Sequence, residues 1–353
     1  MTSPLIVITT EPPPDWEAYA RARGSFYHLP QWAECLHDIY RLRLEYYSAR
    51  THWTPGSAVG LEGIMAVAEI PPLVGPRRMV SLPFSYAAGP LATQPSTAEA
   101  LLRALRESAR GRGMPRVEVK SRGEFPPESG YHRTSHYSTY EVPTDGGEAE
   151  VWARLHPGST QRSIRKGEKA GMVVRRGDTT QDWLIMAQLE ERTAHSHGLP
   201  APPRRFFTEG CRRLQTQELA DVYLAFTRAG QRAAAITVWK GPRSWIYAFG
   251  ASDPAYLEQR PNHVLLWSAI RDASAAGCTF DLGRVAPEQE GLVEFKRRWG
   301  GQAIPLAYDY WPEPGGLNIA ARDRGMLATA ASVWSRLPAS VARLGTGLYR
   351  YLG

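Results

Sequence analysis

The sequence predicts an α/β protein: an α+β mixed sheet in each of two tandem units, followed by a basic helical tail. Three observations predict this. The chain has 353 residues, enough for two domains with separate cores. Short β-prone runs alternate with longer apolar stripes of helical period. The order of elements in the second half is repeated, more loosely, in the first.

In chain order, "LIVITT" opens as a strand, and "DWEAYARAR" and "LPQWAECLHDIY" read as helices. "RLEYYSART", "VGLEGIMAVAEI" and "RRMVSLPF" read as strands. "STAEALLRALRESARGRG" (96–113) is a helix with a Ser/Thr start and a Gly stop, and "RVEVKSR" and "HYSTYEVP" are strands. In the second half "MVVRRG" (172–177) is a strand and "QDWLIMAQLEERTAHSHG" (181–198) a helix ended by Gly198 and Pro200. A second helix covers 203–215. Three strands follow at 219–227, 233–240 and 244–251, joined by Arg-Ala-Gly-Gln and Gly-Pro-Arg turns. Residues 262–277 carry a helical stripe at 265, 266, 269, 270 and 273. "CTFDLG" is a strand, "EGLVEFKRRWG" a short helix and "QAIPLAYDYW" the last strand.

This order (strand, two helices, three strands, helix, strand, helix, strand) resembles the GNAT acyltransferase fold. The expected organisation is an N-terminal GNAT-like domain at 1–145, a C-terminal one at 146–312, and a tail at 313–353. The joint falls near "PTDGGEAE" (143–150). The tail carries Arg336, Arg343 and Arg350 among Leu, Val, Trp and Tyr. It is expected to pack on the first domain, with a helix lying on an anionic membrane face as the alternative.

Composition narrows the function. Hydrophobic residues are 43% and charged residues 22%, a globular balance. The net charge of +7 favours anionic partners such as RNA, nucleotides or a membrane surface. Cys35, Cys211 and Cys278 are scattered, with no metal-ligand spacing, which argues against a zinc site or disulfide framework and fits a reducing cytosol. The N-terminus lacks a signal-peptide pattern, and no run of about 18 apolar residues occurs. A cytoplasmic protein, peripheral at most to the inner membrane face, is expected, and no cofactor is implied.

Several stretches can carry chemistry. Residues 281–301, "DLGRVAPEQEGLVEFKRRWGG", place Lys296 after a strand ending in Asp281 and Arg284, in a chain with five lysines and thirty-seven arginines. An ammonium is a compact charge suited to a phosphate or a developing oxyanion. Strand C-termini are where open α/β sheets place their sites. Phe295 would face the core and Lys296 the channel. Residues 159–171 read as a helix capped by Ser159 or Thr160 and stopped by Gly171. On it Arg162, Arg165, Lys166 and Lys169 form one stripe, a footprint for an RNA backbone or a diphosphate, or else a solvated face. His195 and His197 are candidate bases or surface-turn residues. Tyr247 either hydrogen-bonds substrate or packs in the core. No nucleophile-elbow motif is present, so direct attack by an acceptor amine is expected.

Four stretches in register carry a family resemblance: "FYHLPQWAECL" (26–36), "RRMVSLPFSYAAGPLA" (77–92), "STQRSIRKGEKAGMVVRRG" (159–177) and "FDLGR…GLVEFKRRWGGQAIPL". Together the chain resembles FemABX-type, BioF2-like acyltransferases. The resemblance implies transfer of an acyl group, often aminoacyl from tRNA, to an amine, with a cell-wall muropeptide as the best-known acceptor. The lysine of the family's FK motif falls on Lys296, and Trp299 replaces its usual phenylalanine. His28 and Trp32 fall on the opening helix pattern and, with Tyr86, would border an acceptor cleft. The glycine-rich loop of acetyl-CoA-using GNAT proteins is here "EQRPNHVLL" (258–266), with Pro261, Asn262 and His263 in place of glycines.

The leading expectation is an aminoacyl-tRNA-dependent transferase acting on a peptidoglycan precursor or related envelope molecule. Lys296, Arg284 and Asp281 would be catalytic. Arg162, Arg165, Lys166, Tyr247, Phe295, His28, Trp32, Tyr86 and His197 would bind substrate. The alternatives are an acyl-CoA-dependent N-acyltransferase of exopolysaccharide or secondary metabolism, and a non-catalytic module binding RNA or membrane.

Overall fold

The computed structural model describes residues 4–51, 60–72, 76–126, 128, 130–312 and 345–351. Most of the expected tail, 313–344, lies outside the described residues.

The chain divides into two compact units. One comprises 1–137, 305–323 and 350–353; the other comprises 138–304 and 324–349. In the first, β1 (Leu5–Thr9) leads to α1 (Trp16–Arg23) and α2 (Pro30–Tyr40). The strands β2 (Arg43–Arg50), β3 (Leu61–Ile70), β4 (Arg78–Val80) and β5 (Leu91–Ala92) follow, then α3 (Pro95–Gly111), β6 (Val117–Ser121) and β7 (His132–Thr134). In the second, β8 (Ser138–Val142) is followed by α4 (Gly147–Arg154), α5 (Arg162–Lys169), β9 (Val173–Gly177), α6 (Thr180–Ser196) and α7 (Arg212–Thr216). Then come β10 (Ala220–Phe226), β11 (Arg232–Lys240), β12 (Ser244–Ser252), α8 (Pro261–Ala275), β13 (Thr279–Val285), α9 (Glu290–Arg298) and β14 (Gln302–Pro305). The strand β15 (Ala307–Trp311) returns to the first unit's sheet.

The sheet orders are β1-β2-β3-β4-β6-β15-β7, with β5 on β3, and β14-β8-β13-β12-β11-β10-β9. The division differs from the one read in the sequence. "HYSTYEVP" reads as the last strand of the first unit, yet β8 pairs antiparallel with β13 of the second sheet. "QAIPLAYDYW" reads as one strand, yet it breaks at Leu306, just after Pro305, and β15 pairs with β6 and β7. Strand pairing is set by register partners far away in sequence, which a local pattern does not reveal.

Each unit packs its own core. In the first, Leu101, Leu102 and Leu105 of α3 lie on Tyr47, Met65 and Val67 of the sheet. In the second, Leu265, Leu266, Ala269 and Ile270 of α8 bury against Tyr223, Ile236, Val238 and Phe280. The apolar stripe read at 265–273 is therefore the inward face of α8.

The helix expected from Ser159 begins instead at Arg162, after a wide π-type turn over Pro157–Gln161. The hydroxyl of Thr160 donates to the carbonyl of Arg298 at 2.9 Å and caps nothing. Gly171 does end the segment, with φ of 77°. Of the tail, Gly345–Tyr351 is a short 3₁₀ turn, and Arg78 donates to the Tyr351 carbonyl at 3.2 Å within the first unit.

Candidate active site in the second unit

The second unit's site is built where two parallel strands part. β12 and β13 pair from Ser244↔Thr279 to Ile246↔Asp281. Beyond that point β12 runs on to Ser252, while β13 pairs with β8 through Arg284↔Thr139. β12 also carries a bulge against β11, where Thr237 faces Phe249 and Val238 faces Tyr247, leaving Ala248 unmatched. Bulges re-aim backbone beside sites.

Lys296 of α9 reaches back into this seam. Its ammonium donates to the carbonyl of Gly283, and to that of Arg284 at 3.2 Å. The residue is 3% exposed. Burial pushes its pKa down to about 8, Asp281 works against that shift, and Arg284 adds to it. An ammonium has three donors, so two carbonyls leave one N–H for a ligand. The expected orientation is thereby revised: Lys296 is the buried partner, and Phe295 is half-buried, packed beside His263 and Trp299.

Asp281 was expected to be catalytic. It is fully buried, accepting from the Thr139 hydroxyl and, at 2.8 Å, from the Gly283 N–H. A carboxylate so enclosed cannot meet substrate; it serves as the counter-charge below Lys296. Arg284, next along β13, has an exposed side chain.

The basic helix α5 stands beside the N-terminus of α8. Gly167 makes this approach possible: a Cβ there would lie 2.3 Å from Val264 Cγ2 and 3.2 Å from the carbonyl oxygens of Gln259 and Arg260. Arg162, Arg165 and Lys166 are exposed, and the Arg165 guanidinium sits 5.2 Å from the Trp152 ring centre. The α8 terminus itself is poorly equipped to cradle a pyrophosphate. Pro261 has no N–H, and the His263 N–H is taken by the Arg260 carbonyl at 3.1 Å. The side-chain amide of Asn262 donates to the Ser252 hydroxyl at 2.6 Å. Burial pushes the His263 pKa down to about 4, so that imidazole is neutral.

Tyr247 lies at the parting point of the strands. Its backbone carbonyl would be 3.3 Å from a Cβ at Gly283, the residue that holds Lys296. Its phenol lies against Gly250, where a Cβ would fall 1.7 Å from the hydroxyl. Burial, and then the charge of Glu190 on α6, push the phenol up to about 12. Glu190 was not singled out from the sequence; a lone Glu inside a helical stripe gives no motif. His197 is exposed at the end of α6, while His195 is half-buried.

In the first unit three site expectations are revised or refined. Trp32 is 1% exposed and its indole N–H donates to Ser85 at 2.8 Å, so it packs the core and does not border a cleft. His28 bonds through Nε2 to the Gly89 carbonyl at 3.2 Å, and Nδ1 meets Ser25. Its imidazole is committed to stapling the loop. Tyr86 is half-buried, edge-on to Tyr27 at 5.1 Å. That loop also holds Leu82 and Phe84 at φ of 49° and 57°, a strained geometry for bulky side chains of the kind stored at binding sites.

Residues 158–297 match the acetyltransferase (GNAT) domain family. The chain carries a GNAT acyltransferase domain. Curated proteins offer no match to the sequence. Among solved structures, FemX matches with a TM-score of 0.65 and 14% identity, over 86% of this chain and 96% of its own. The C-terminal domain of a putative lysylphosphatidylglycerol synthetase from Agrobacterium fabrum matches with 0.54 and 12%, over 90% and 95%. L-PGS from Bacillus licheniformis matches with 0.51 and 12%, over 93% and 98%. At these identities the fold is what is shared. Residues 158–297 of the second unit thus carry a GNAT acetyltransferase-family domain, and the chain shares the mixed α/β fold of FemX. No helix among the described residues is long and apolar enough to cross a membrane.

Proposed function

We propose that the protein moves an aminoacyl group from aminoacyl-tRNA to an amine of a peptidoglycan precursor or a related envelope molecule. The observation that carries this reading is the α8 terminus. The place where a GNAT domain would hold a CoA pyrophosphate offers a proline and a spent N–H, while exposed cations of α5 stand alongside. A polyanionic donor gripped by Arg162, Arg165 and Lys166 suits that surface better than a backbone cradle. The likeness to FemX and to lysylphosphatidylglycerol synthetase folds supports it.

In this reading the remaining N–H of Lys296 points charge at the donor's carbonyl as it becomes an oxyanion, with Arg284 beside it. Tyr247 orders the acceptor. His197 gives the acceptor a polar rim. The protein acts in the cytoplasm, at the inner membrane face when the acceptor is lipid-linked. The test is incubation with charged bulk tRNA or an acyl-CoA panel, each with lipid-linked and nucleotide-linked muropeptides, read by mass spectrometry. A ribonuclease-sensitive, Lys296-dependent mass gain supports the reading.

A second reading has its own observation, the match of residues 158–297 to an acetyltransferase family. A mass gain from acyl-CoA alone would select acyl-CoA-dependent N-acylation.

A further inference from the structure

The first unit has a parallel strand pair of its own. β4 and β6 pair from Met79↔Val117 to Val80↔Glu118. Beyond that rung the chain leaves the sheet. The Ser81 N–H still donates to the Glu118 carbonyl at 2.9 Å, but the Lys120 N–H is taken by the Ser81 hydroxyl at 2.8 Å. In the second unit the last rung of β12 and β13 carries Asp281, the counter-charge of Lys296. In the first, the last rung of β4 and β6 carries Glu118, 3.3 Å from the Lys120 ammonium. Both units thus hold a carboxylate and a lysine where a parallel pair ends.

The surroundings of Glu118 are cationic. Val117 and Val119 of β6 and Met79 of β4 face the α3 core. Arg116, Glu118 and Lys120, with Arg78 one residue before Met79, therefore share the opposite face. Tyr308 and Tyr310 of β15 lie across from Lys120 and Glu118 there. The Lys120 ammonium sits 5.9 Å from the Tyr308 ring centre, and the Arg116 guanidinium 5.6 Å from that of Tyr310. The Glu118 and Lys120 side chains are 14% and 10% exposed, and both arginines are half-buried. Among the described residues, Arg78, Arg116 and Lys120 all act on the one carboxylate of Glu118. Arg78 gives one N–H to the Tyr351 carbonyl. No hydrogen bond or ion pair with a described residue holds the Arg116 guanidinium. Cations gathered partly out of water repel one another and lose hydration, a cost that packing alone gives no reason to keep.

We propose that this face of the first unit is a binding site for a phosphate-bearing ligand, with Arg116 and Arg78 holding the phosphate. The inference goes beyond the transfer proposed above and does not rest on it. A guanidinium presents a planar fork of donors that matches phosphate oxygens, and Arg116 has its fork uncommitted. The three terminal oxygens of a phosphate can serve two such forks at once. The rings of Tyr310 and Tyr308 steady Arg116 and Lys120 from the sheet. Glu118 fixes the Lys120 ammonium, which adds positive charge close by. A cationic ligand would meet repulsion from all three cations.

The test titrates inorganic pyrophosphate into the full-length protein by calorimetry. The background variant Arg162→Ala/Arg165→Ala/Lys166→Ala removes the exposed cations of α5, so that any heat arises elsewhere on the chain. Saturable binding is expected in that background. Adding Arg116→Ala should weaken it about tenfold or more, and Arg116→Lys, which keeps the charge without the fork, by less. Arg116 has no described partner to lose, so both variants should melt with the background when pyrophosphate is absent. Flotation with phosphatidylcholine vesicles, with and without phosphatidic acid, separates a lipid phosphate from a soluble one. Arg116-dependent binding of either form supports the site. Binding of neither, or equal affinity in Arg116→Ala and its background, overturns the inference. So does a loss of binding that only tracks a fall in melting temperature, which would mark a structural role. The proposed transfer is read in the second unit and stands or falls on its own assay.

Discussion

The ammonium of Lys296 donates to the Arg284 carbonyl at 3.2 Å, from the last turn of α9 to a strand that has just left its neighbour. Two carbonyls and a buried Asp281 hold it, so its position is fixed before substrate arrives. Lys296→Ala is expected to lower single-turnover transfer by roughly 10²–10³, as loss of one preorganised donor does. Lys296→Arg should not restore it, because a planar guanidinium cannot occupy the same two-carbonyl seat as a compact ammonium. Full activity in Lys296→Arg would show that charge alone matters.

Much of this site was readable, and the reasons for the remainder are physical. The FK motif located Lys296, since short motifs keep their spacing within one helix. The stripe of α5 was visible because helical period is local. Burial direction was not. Whether Phe295 or Lys296 turns inward depends on where β13 presents its carbonyls. Trp32 and His28 lay on a recognised pattern, but their partners, Ser85 and Gly89, are more than fifty residues away in sequence. The exchange of β8 and β15 between sheets is equally nonlocal. The effect of Glu190 on Tyr247 gives no sequence signal, because it comes from a helix packed on a strand more than fifty residues away.

Gly167 sets how closely α5 approaches α8. Gly167→Ala would press a methyl onto Val264 and two carbonyl oxygens. Gly is a poor helix former, so part of the cost is offset. The net expectation is a destabilisation of about 1–2 kcal/mol from overpacking. Gly167→Ala/Val264→Ala should recover part of it. Urea unfolding of the single and double variants reads this coupling, and purely additive losses would contradict the contact.

The α5 cations are expected to act through phosphates. Arg162→Ala, Arg165→Ala and Lys166→Ala should each weaken binding of charged tRNA and reduce the slope of log K against log salt by up to about one unit. Arg165→Ala should cost more than the others, since its guanidinium also stacks on Trp152. Filter binding at several salt concentrations measures this. A slope unchanged in all three variants would place the RNA, if bound, elsewhere.

His28 gives a pH dependence in the first unit. Burial pushes its pKa down to about 4, the Gly89 hydrogen bond works against that, and Arg122 adds to it. A histidine depressed in the folded state contributes stability that is present above its ordinary value near 6.5 and lost as pH falls toward 4. The contribution is at most on the order of 3 kcal/mol. Wild type should therefore lose stability between pH 6.5 and 4, and His28→Gln should be less stable at pH 7 but flatter across that window. Denaturant unfolding at pH 7, 5.5 and 4.5 compares the two slopes, and parallel curves would contradict the assignment.

Glu190, on α6 of the second unit, has the opposite sign. Its pKa is raised in the folded state, to about 8, so its contribution is most favourable below its ordinary value of 4.5 and is lost as pH climbs through 8. Above pH 8 the folded protein holds a half-buried charge on α6. Glu190→Gln keeps the shape and removes the charge, so it should melt several degrees higher than wild type at pH 8.5 and at the same temperature at pH 5. Equal melting temperatures at both pH values would mean that the carboxylate finds solvent or a partner when it ionises.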